Sequence, residues 1–408
     1  MRLPILATAI LLLTSTAYAQ RSGPEVTSWL INPGGQSGHN GIPSNVQRVQ
    51  YSSANVYVSC TCIPGYDIGP WVGNPNEAAN QDFTFKITRT PQRNTGTPVA
   101  TPLGHIGVWS NGVSVFNAKD ARSYNNAGVW NQNAIVVEGP SFDTCLGHPA
   151  PNGEYHHHLN PRCLYDDRDS SRHSPIIGYA FDGFPIYGAY GFANADGTGG
   201  ITRMRSTYRL RSITDRTSLA GGQTLPVAQQ GPAISARYPL GYYIEDYEVV
   251  PGSGDLDEHN GRVCITPEYP DGTYAYFVTL DEDGSAAYPY TLGPTYYGTV
   301  PPGNTGPQSG HNTPTEAVVT YAPASIAAAP TLELGLAPNP ATDRALVSGI
   351  TGAWSYAVRD LLGRTVASGD DLRGDALLDL SSVASGVYLL SVESASLARA
   401  TKRLVVRR

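Results

Sequence analysis

Short runs of alternating hydrophobic and polar residues are the main pattern in the part of this 408-residue chain that precedes residue 300. The alternation is clearest in Asp82–Ile87 and Tyr274–Val278, and a period of two residues is typical of a strand with one buried face. Helical periodicity is scarce. The predicted strands are Val56–Ser59, Phe83–Ile87, Ile106–Trp109, Ala134–Glu138, Ile176–Phe181, Tyr242–Val250 and Tyr274–Thr279.

The composition favours the same fold class. Gly 44 and Pro 32 oppose helix interiors and form turns, whereas 40% hydrophobic residues are enough to bury a sizeable core. A stretch rich in Pro, Gly and Ala from Pro301 to Pro330 is typical of a linker. We therefore predict an all-β chain with a large turn-rich β domain over 20–300, a linker over 301–330 and a small Ig-like β-sandwich over 331–408.

The first nineteen residues have the pattern of a secretory signal peptide. Arg2 precedes the short apolar run Ile5–Leu13, and Ala17–Ala19 supplies a small-x-small cleavage site. The apolar run is well short of the ~20 residues that a membrane span needs, and no later stretch is long and apolar enough to span either. We expect an exported chain without a transmembrane anchor.

The charge pattern bears on the class of partner. The formal net charge at pH 7 is −7, and the absence of a basic stripe excludes nucleic acid as the expected partner. Cations and neutral polymers such as extracellular glycans are compatible with this charge. All nine histidines lie between His39 and His311, so any imidazole chemistry belongs before residue 331.

Histidines are densest around the segment Tyr155–His158. If this segment is a strand, its side chains alternate, so that His156 and His158 share one face. Two imidazoles with this spacing can enter one coordination sphere, and His is the commonest protein ligand of Zn and Cu. Tyr155 and His157 share the opposite face and are candidate ligand-binding residues. The structural alternative is a polar turn whose histidines hydrogen-bond to backbone groups.

Further metal ligands have to come from elsewhere in the chain, and the candidates are His148, His173, His259 and Asp182. Asp182 also fits a hairpin, because an Asp-Gly pair with Gly183 supplies the positive φ that a two-residue turn requires. Asp257 and Glu258 lie in an acidic segment that could bind Ca²⁺ through oxygen ligands, although its spacing does not fit an EF-hand loop. A solvated acidic turn is the alternative for that segment.

A short repeat links two distant parts of the chain. Gln36–Asn40 recurs as Gln308–Asn312, with the same five residue types in the same order. Two similar Gly/Asn turns are the favoured interpretation, and a paired binding element is the alternative.

The cysteines bear on the redox compartment. In an exported chain they meet an oxidising environment in which disulfides persist, and an odd number, five, leaves at least one thiol over. We expect Cys145 to pair with Cys163, because this bridge closes a loop around the His-dense segment. One of the neighbours Cys60 and Cys62 is then expected to pair with Cys264.

Several ordered blocks resemble a known family. The blocks are Cys145–Pro149, Gly153–His158, His173–Gly188, Leu256–Arg262, Thr266–Phe277 and Gly293–Gly298. Together they resemble the YHYH domain family, named for its Tyr-His-Tyr-His signature, over most of the large domain. His157 stands where that family usually has Tyr, and His259 stands where it usually has Cys, which would explain the odd cysteine count. The resemblance implies a secreted β-rich module with a His-centred site.

The end of the chain resembles a second family. The matching blocks are Leu336–Ala341, Val358–Val366, Leu378–Leu389 and Lys402–Arg408, and they resemble the type IX secretion C-terminal sorting domain. The resemblance implies the type IX secretion machinery as a partner, passage across the outer membrane of a Bacteroidetes-type cell, and a secreted or surface-displayed product. The segment itself predicts a small antiparallel sandwich with turns at Gly363, Gly369 and Gly386.

The leading hypothesis is a secreted or surface-displayed protein that binds a divalent metal, with Zn or Cu at the histidines and Ca as the alternative at the acidic segment. A metal-dependent hydrolase of extracellular polymer would also need an open coordination position beside a base such as Glu154 or Glu258. A glycan-binding or adhesin module would leave the histidines purely structural. The usual enzyme motifs are missing from the sequence, which therefore identifies no catalytic residue.

Overall fold

The computed structural model of the chain describes residues 22–306, 308–323, 334–350, 352–360, 364–394 and 399–408. The expected signal peptide, together with residue 307 and residues 324–330 of the expected linker, lies outside this part of the chain. The described residues up to Tyr321 form one compact unit, and those from Ala322 onward form a second. Both units consist mainly of β-strands, which confirms the predicted fold class.

The first unit consists of short strands joined by turns. Its strands are β1 (Val46–Tyr51), β2 (Asn55–Cys60), β3 (Phe83–Thr88), β4 (His105–Trp109), β5 (Ser114–Phe116), β6 (Lys119–Ser123), β7 (Asn131–Asn133), β8 (His148–Pro149), β9 (Tyr155–His157), β10 (Ile176–Ala180), β11 (Pro185–Tyr187), β12 (Tyr190–Phe192), β13 (Ile201–Arg203), β14 (Tyr208–Leu210), β15 (Tyr247–Val249), β16 (Gly261–Cys264), β17 (Thr273–Phe277) and β18 (Val319–Thr320). Its α-helical turns are α1 (Pro24–Thr27) and α2 (Ala134–Val137). Its 3₁₀ turns are His39–Gly41, Tyr124–Asn126, Gly139–Ser141, Ala220–Gly222, Val227–Gln229 and Ile244–Asp246.

Helices play a minor part in this architecture. Within the described residues, none of them is long and apolar enough to cross a membrane.

The largest sheet positions the dense histidines. Its strand order is β16-β17-β11-β10-β4-β5-β9-β8, and the pairs β11–β17 and β5–β9 are parallel. The central strands β4 and β10 are buried along their whole length, so both faces of the sheet are covered there. Continuous apolar runs rather than alternation are typical of such strands. The histidine-bearing strands β9 and β8 lie at one edge.

A four-stranded antiparallel sheet of order β18-β1-β2-β3 contributes to the same core. Along β3 the residues Phe83, Phe85 and Ile87 are buried while those between them are partly exposed, as the alternation in the sequence predicts. The rings of Phe85 and Phe181 lie 5.2 Å apart between their centroids. The two sheets therefore share one hydrophobic core.

A hairpin joins β10 and β11 as predicted, but its turn is not the expected two-residue Asp-Gly turn, because Phe181 and Asp182 occupy the central positions and only Gly183 has a positive φ. Gly183 has φ +92°, and its N–H donates to the Ala180 carbonyl at 2.9 Å. A Cβ on Gly183 would lie 2.5 Å from a methyl carbon of Thr88. Both the backbone angle and the close approach of β3 therefore require glycine at this position.

The second unit is a small antiparallel sandwich, as predicted. Its strands are β19 (Gly335–Ala337), β20 (Arg344–Ser348), β21 (Ala353–Arg359), β22 (Thr365–Arg373), β23 (Ala376–Asp379), β24 (Gly386–Ser394) and β25 (Arg399–Val406). They form the sheets β19-β20-β23 and β22-β21-β24-β25. Buried Val347, Trp354 and Leu390 are among the residues of its core.

The predicted turns of this sandwich need correction. Gly369 lies inside β22 opposite Tyr356, and a Cβ on it would meet the Tyr356 ring at 2.6 Å, so the glycine makes room for a cross-strand ring instead of forming a turn. Gly386 begins β24. The turn predicted at Gly363 lies outside the described residues.

Two of the predicted strands also differ from the structure. In the predicted strand Ala134–Glu138, the residues Ala134–Val137 form α2 instead, because the Asn133 side chain caps the helix by accepting a hydrogen bond from the Ile135 N–H. A short apolar run does not by itself distinguish a strand from a helical turn. In Tyr242–Val250 the strand β15 is preceded by the 3₁₀ turn Ile244–Asp246.

Much of the expected linker folds onto the first unit. Strand β18 pairs with β1, and the buried Asn304 side chain makes two hydrogen bonds to the backbone of Lys86, accepting at 2.9 Å and donating at 2.6 Å. Glu316 accepts hydrogen bonds from Asn55 and Tyr57, each at 2.9 Å. The described residues between 301 and 321 are therefore part of the first unit, although the Pro and Gly content of this segment suggests a linker.

The structure contains the expected Cys145–Cys163 disulfide, but Cys60, Cys62 and Cys264 are buried free thiols. The second predicted bridge is therefore wrong. Cys62 lies beside β5 and β9, with its thiol 3.1 Å from the Tyr155 carbonyl oxygen, whereas Cys264 lies on the opposite edge strand of that sheet. The intervening strands separate the two thiols.

Candidate metal centre

Three histidines converge at the edge of the large sheet. β8 pairs antiparallel with β9 so that His148 lies opposite His156, and the alternation that continues one residue past β9 places His158 on the same face as His156. The Nε2 atom of His156 is 3.1 Å from Nε2 of His148 and 3.1 Å from Nε2 of His158. The three imidazoles thus point their Nε2 atoms at one place.

Glu138 completes the group, and sequence reasoning did not identify it. It follows α2, and its Oε2 atom lies 2.9 Å from Nε2 of His148 and 3.2 Å from Nε2 of His158. The four potential ligand atoms all lie within 4.8 Å of one another. No spacing in the sequence connects Glu138 to the histidines, because only the fold brings the residue after α2 beside them.

Backbone carbonyls determine the tautomers of two of these rings. The Nδ1–H of His156 donates to the Glu154 carbonyl at 3.0 Å, and the Nδ1–H of His158 donates to the Asn117 carbonyl at 2.6 Å. In each neutral ring Nε2 is therefore an unprotonated acceptor. Two lone pairs that face each other at 3.1 Å repel unless a cation or a proton lies between them.

The size of the group suits a divalent transition metal. A Zn²⁺ ion about 2.0–2.1 Å from each ligand places neighbouring ligand atoms about 3.3 Å apart. Four of the six separations between the ligand atoms are 2.9–3.2 Å, and all six are within 4.8 Å. Three nitrogen donors and one carboxylate also form a ligand set that Zn prefers and that Ca²⁺, which takes oxygen ligands, does not.

The electrostatics of the group favour a neutral His156 beside an ionised Glu138. Burial lowers the pKa of His156 well below its usual value, and the neighbouring imidazoles of His158 and His148 lower it further. Burial alone would raise the pKa of Glu138, but the contacts of its carboxylate with His148 and His158 outweigh burial and hold that pKa well below its usual range. Asp120 contacts Glu138, and burial together with this contact raises the pKa of Asp120 to about 6.

Aromatic rings restrict the orientation of the imidazoles. Phe116 stacks on His156 with 3.8 Å between centroids, and Phe142 lies nearly parallel to His158. His148 is further held by Ser141, whose Oγ is 2.8 Å from Nδ1. Groups that hold ligand rings in place in this way raise metal affinity.

The centre opens onto a cleft of about 560 Å³. Glu138 and the three histidines line one part of it, and the side chains of Lys119, Asp120 and Arg122 line another. The histidine side chains are less than a tenth exposed, whereas that of Glu138 is 22% exposed. A metal held here would be reachable from solvent on the Glu138 side.

The other predicted metal ligands lie elsewhere. His173 donates from Nδ1 to the Ser174 carbonyl and lies among aromatic rings, and burial lowers its pKa. Asp182 accepts hydrogen bonds from the Tyr276 hydroxyl and the Gly298 N–H. His259 contacts Thr295 through Nδ1. These three residues are engaged in their own parts of the fold and do not join the group.

The predicted binding residues also lie away from the metal centre. The Tyr155 hydroxyl donates to Asp143 at 2.9 Å. His157 is fully buried, and burial lowers its pKa to about 4. Asp257 accepts hydrogen bonds from the Tyr274 hydroxyl and the His259 N–H, and the Glu258 side chain is 62% exposed. None of these four residues lines the metal cleft.

Comparison with known proteins shows which family the second unit matches. Residues 336–407 match the model of the secretion system C-terminal sorting domain. This domain marks the protein as secreted or displayed at the cell surface and implies an interaction with the type IX secretion machinery.

The remaining comparisons are sparse. No curated protein matches the chain. A solved structure of PorZ, described as an essential bacterial surface component of the type-IX secretion system of Porphyromonas gingivalis, is similar at 12% identity and a TM-score of 0.18, over 87% of this chain and 50% of that chain. The chain thus spans half the length of PorZ, and a TM-score of this size does not indicate a shared fold.

The first unit has a clearer relationship. Residues 84–287 match the model of the YHYH protein family. The matched segment contains all four residues of the candidate metal centre and amounts to half of the chain. The chain therefore belongs to the YHYH protein family.

Proposed function

We propose that this exported YHYH protein binds one divalent transition metal ion through His148, His156, His158 and Glu138. The observation that carries the proposal is the pair of unprotonated Nε2 atoms on His156 and His158, which face each other at 3.1 Å while their Nδ1–H groups are held by carbonyls. A cation between these atoms turns a repulsive arrangement into a coordinating one.

Zn²⁺ is the metal that best fits the donor set. Three imidazole nitrogens and one carboxylate oxygen match the His and Glu ligands of protein zinc sites, and Cu²⁺, which also takes imidazole ligands, is the alternative. The calcium alternative has less support, because Asp255 pairs with Arg205 and Asp257 binds Tyr274 and nearby backbone N–H groups. The comparisons lend no support to polymer hydrolysis or glycan binding.

The proposal is tested by the metal content of the purified full-length chain, measured by mass spectrometry after dialysis against trace zinc. The native protein should retain about one Zn²⁺ per chain. The variant His156→Ala/His158→Ala should retain less than a tenth of that amount, because it loses two of four ligands. Glu138→Gln should bind more weakly than the native chain, since the amide carries no charge to balance the ion.

A matched control is His39→Ala. His39 is a partly exposed imidazole whose Nε2 contacts Glu77 at 3.4 Å, away from the proposed centre, so its removal should leave the zinc content unchanged. Equal zinc content in the native chain and the double histidine variant would contradict the proposed ligands.

A further inference from the structure

A second constellation of polar side chains lies beside the metal centre and is separate from it. His105 is buried on β4, with Nδ1 2.8 Å from Oε1 of Glu154 and Nε2 2.9 Å from Oγ of Ser309. A hydroxyl, an imidazole and a carboxylate in this order have the geometry of a nucleophile, its base and the group that orients the base. Ser309 belongs to the second copy of the repeated Gln-Ser-Gly-His-Asn segment.

The carboxylate and the imidazole are firmly positioned. Glu154 is 5% exposed and accepts a hydrogen bond from the Ser114 hydroxyl at 2.5 Å. Its carboxylate therefore accepts the Nδ1–H of His105, which leaves the lone pair of Nε2 directed at Ser309. The rings of Phe83, Phe85 and Phe181 lie 5.2–5.8 Å from the His105 ring and hold it in place.

The turn around Ser309 is constrained. The preceding Gln308 has φ +58° and the following Gly310 has φ +82°, and a non-glycine residue adopts such an angle only where the surroundings impose it. A Cβ on Gly310 would lie 2.9 Å from the Phe85 ring. The Ser309 hydroxyl also lies 2.7 Å from the Gly306 carbonyl oxygen and 3.0 Å from that of Asn304, so its single proton has acceptors besides His105.

This constellation lines a cleft of about 680 Å³. Phe83, Pro102 and Leu103 give the cleft apolar walls, and Gln81, Asn152 and Gln308 supply amide groups. Among the described residues that line it there is no Lys or Arg. A neutral substrate therefore suits this cleft better than an anionic one.

We infer that Ser309, His105 and Glu154 form a serine esterase site for neutral carboxylic esters, whose chemistry does not use the proposed metal ion. Ser309 Oγ attacks the ester carbonyl carbon while its proton passes to Nε2 of His105. The tetrahedral intermediate expels the alcohol, which takes that proton, and leaves an acyl group on Ser309. Water then attacks the acyl-enzyme with His105 again as base, which releases the carboxylic acid and restores the hydroxyl. Glu154 is a positioning residue that acts through His105.

The direct test uses a fluorophosphonate probe on the full-length chain, followed by peptide mass spectrometry. Phosphonylation forms a bond from Ser309 Oγ to phosphorus and expels fluoride, with the proton accepted by His105. The expected result is one modified residue, Ser309. Folded native protein that is not modified, or is modified at another residue, would overturn the inference, and this measurement needs no variant.

Variants then assign the roles, with p-nitrophenyl butyrate as the substrate. Ser309→Ala and His105→Asn should each lower kcat at least 100-fold. Glu154→Gln should lower kcat by a factor on the order of 100 while KM stays within about twofold, and Glu154→Asp should recover part of the loss. A purely structural role for Glu154 predicts loss of folded protein without a selective fall in kcat.

Two controls distinguish a reactive Ser309 from general serine labelling and from metal-dependent hydrolysis. Ser285 is an exposed turn serine whose hydroxyl donates to Asp283, and Ser285→Ala should leave labelling and hydrolysis unchanged. Labelling should also persist in EDTA and in the His156→Ala/His158→Ala variant. Loss of labelling on chelation would contradict a metal-independent serine site, whereas labelling of a native chain that retains no zinc after dialysis against trace zinc would contradict only the proposed metal function.

Discussion

At the scale of single residues, hydrogen-bond direction decides what each histidine can do. His173 and His259 also place Nδ1 near a backbone carbonyl, as His156 and His158 do. Their Nε2 atoms, however, meet no second imidazole among the described residues. What distinguishes the candidate centre is therefore the convergence of several unprotonated nitrogen atoms.

Asp182 carries a prediction at this scale. It is fully buried, and burial raises its pKa to about 6, against an ordinary value of 3.8, although Tyr276 and backbone N–H groups donate to it. The folded state then binds the proton more tightly than the unfolded state, so stability falls as the pH rises through the window from about 4 to about 6. The loss should be about 3 kcal/mol at most.

Asp182→Asn should remove this slope, which denaturant unfolding between pH 4 and pH 7 measures. The exposed Asp166, changed to Asn, serves as the control and should keep the slope of the native chain. If Asp182→Asn unfolds with the same dependence on pH as the native protein, the buried carboxyl is not the group responsible.

At the scale of elements, the sequence predicted the features of the site that depend on a single strand. It did not predict those that depend on contact between two elements. Alternation along β9 is a local property, so the common face of His156 and His158 could be predicted. The contribution of Glu138 depends on α2, which the apolar run Ala134–Val137 did not distinguish from a strand. The partnership of His105 with Ser309 spans 204 positions of sequence, and no local pattern reports such a contact.

The cap of α2 provides a test at this scale. Asn133 is fully buried, accepts from the Ile135 N–H and donates to the Tyr290 hydroxyl at 2.7 Å. Asn133→Ala should lower the free energy of unfolding by about 1–3 kcal/mol. Because α2 delivers Glu138 to the histidines, zinc affinity should also fall about tenfold or more, as competition with a chromogenic chelator would measure.

Val136→Ala is the matched control for this experiment, since Val136 lies on the same helical turn and is 42% exposed. Both stability and zinc affinity should stay near the native values. A destabilised Asn133→Ala protein with unchanged zinc affinity would show that α2 does not position Glu138.

At the scale of the whole molecule, composition misjudges where the first unit ends. The Pro and Gly content of residues 301–321 is typical of a linker, yet this segment adds β18 to a sheet and buries Asn304. Hydrogen bonds with partners more than 200 residues away in sequence hold it there. Low-complexity composition thus indicates how a segment behaves in isolation. It does not indicate whether the segment pairs with a strand that is distant in sequence.

Truncation tests this assignment. A chain of residues 22–323 should unfold at a higher temperature than a chain of residues 22–300, since the shorter chain loses the pairing of β1 with β18 and several buried hydrogen bonds. A loss of about 3–5 kcal/mol corresponds to a melting temperature lower by about 5–10 °C, measured by circular dichroism. Equal melting temperatures would restore the linker interpretation.

Glu154 belongs to both candidate sites, because its carboxylate holds His105 while its carbonyl oxygen holds Nδ1 of His156. Two ligands whose sites share one residue are thermodynamically linked if either ligand displaces that residue. Linkage is reciprocal. If bound zinc increases the affinity for the ester, the ester increases the affinity for zinc by the same factor. A single residue immediately before β9 thus gives this protein a physical route to cooperativity between a cation and an organic ligand.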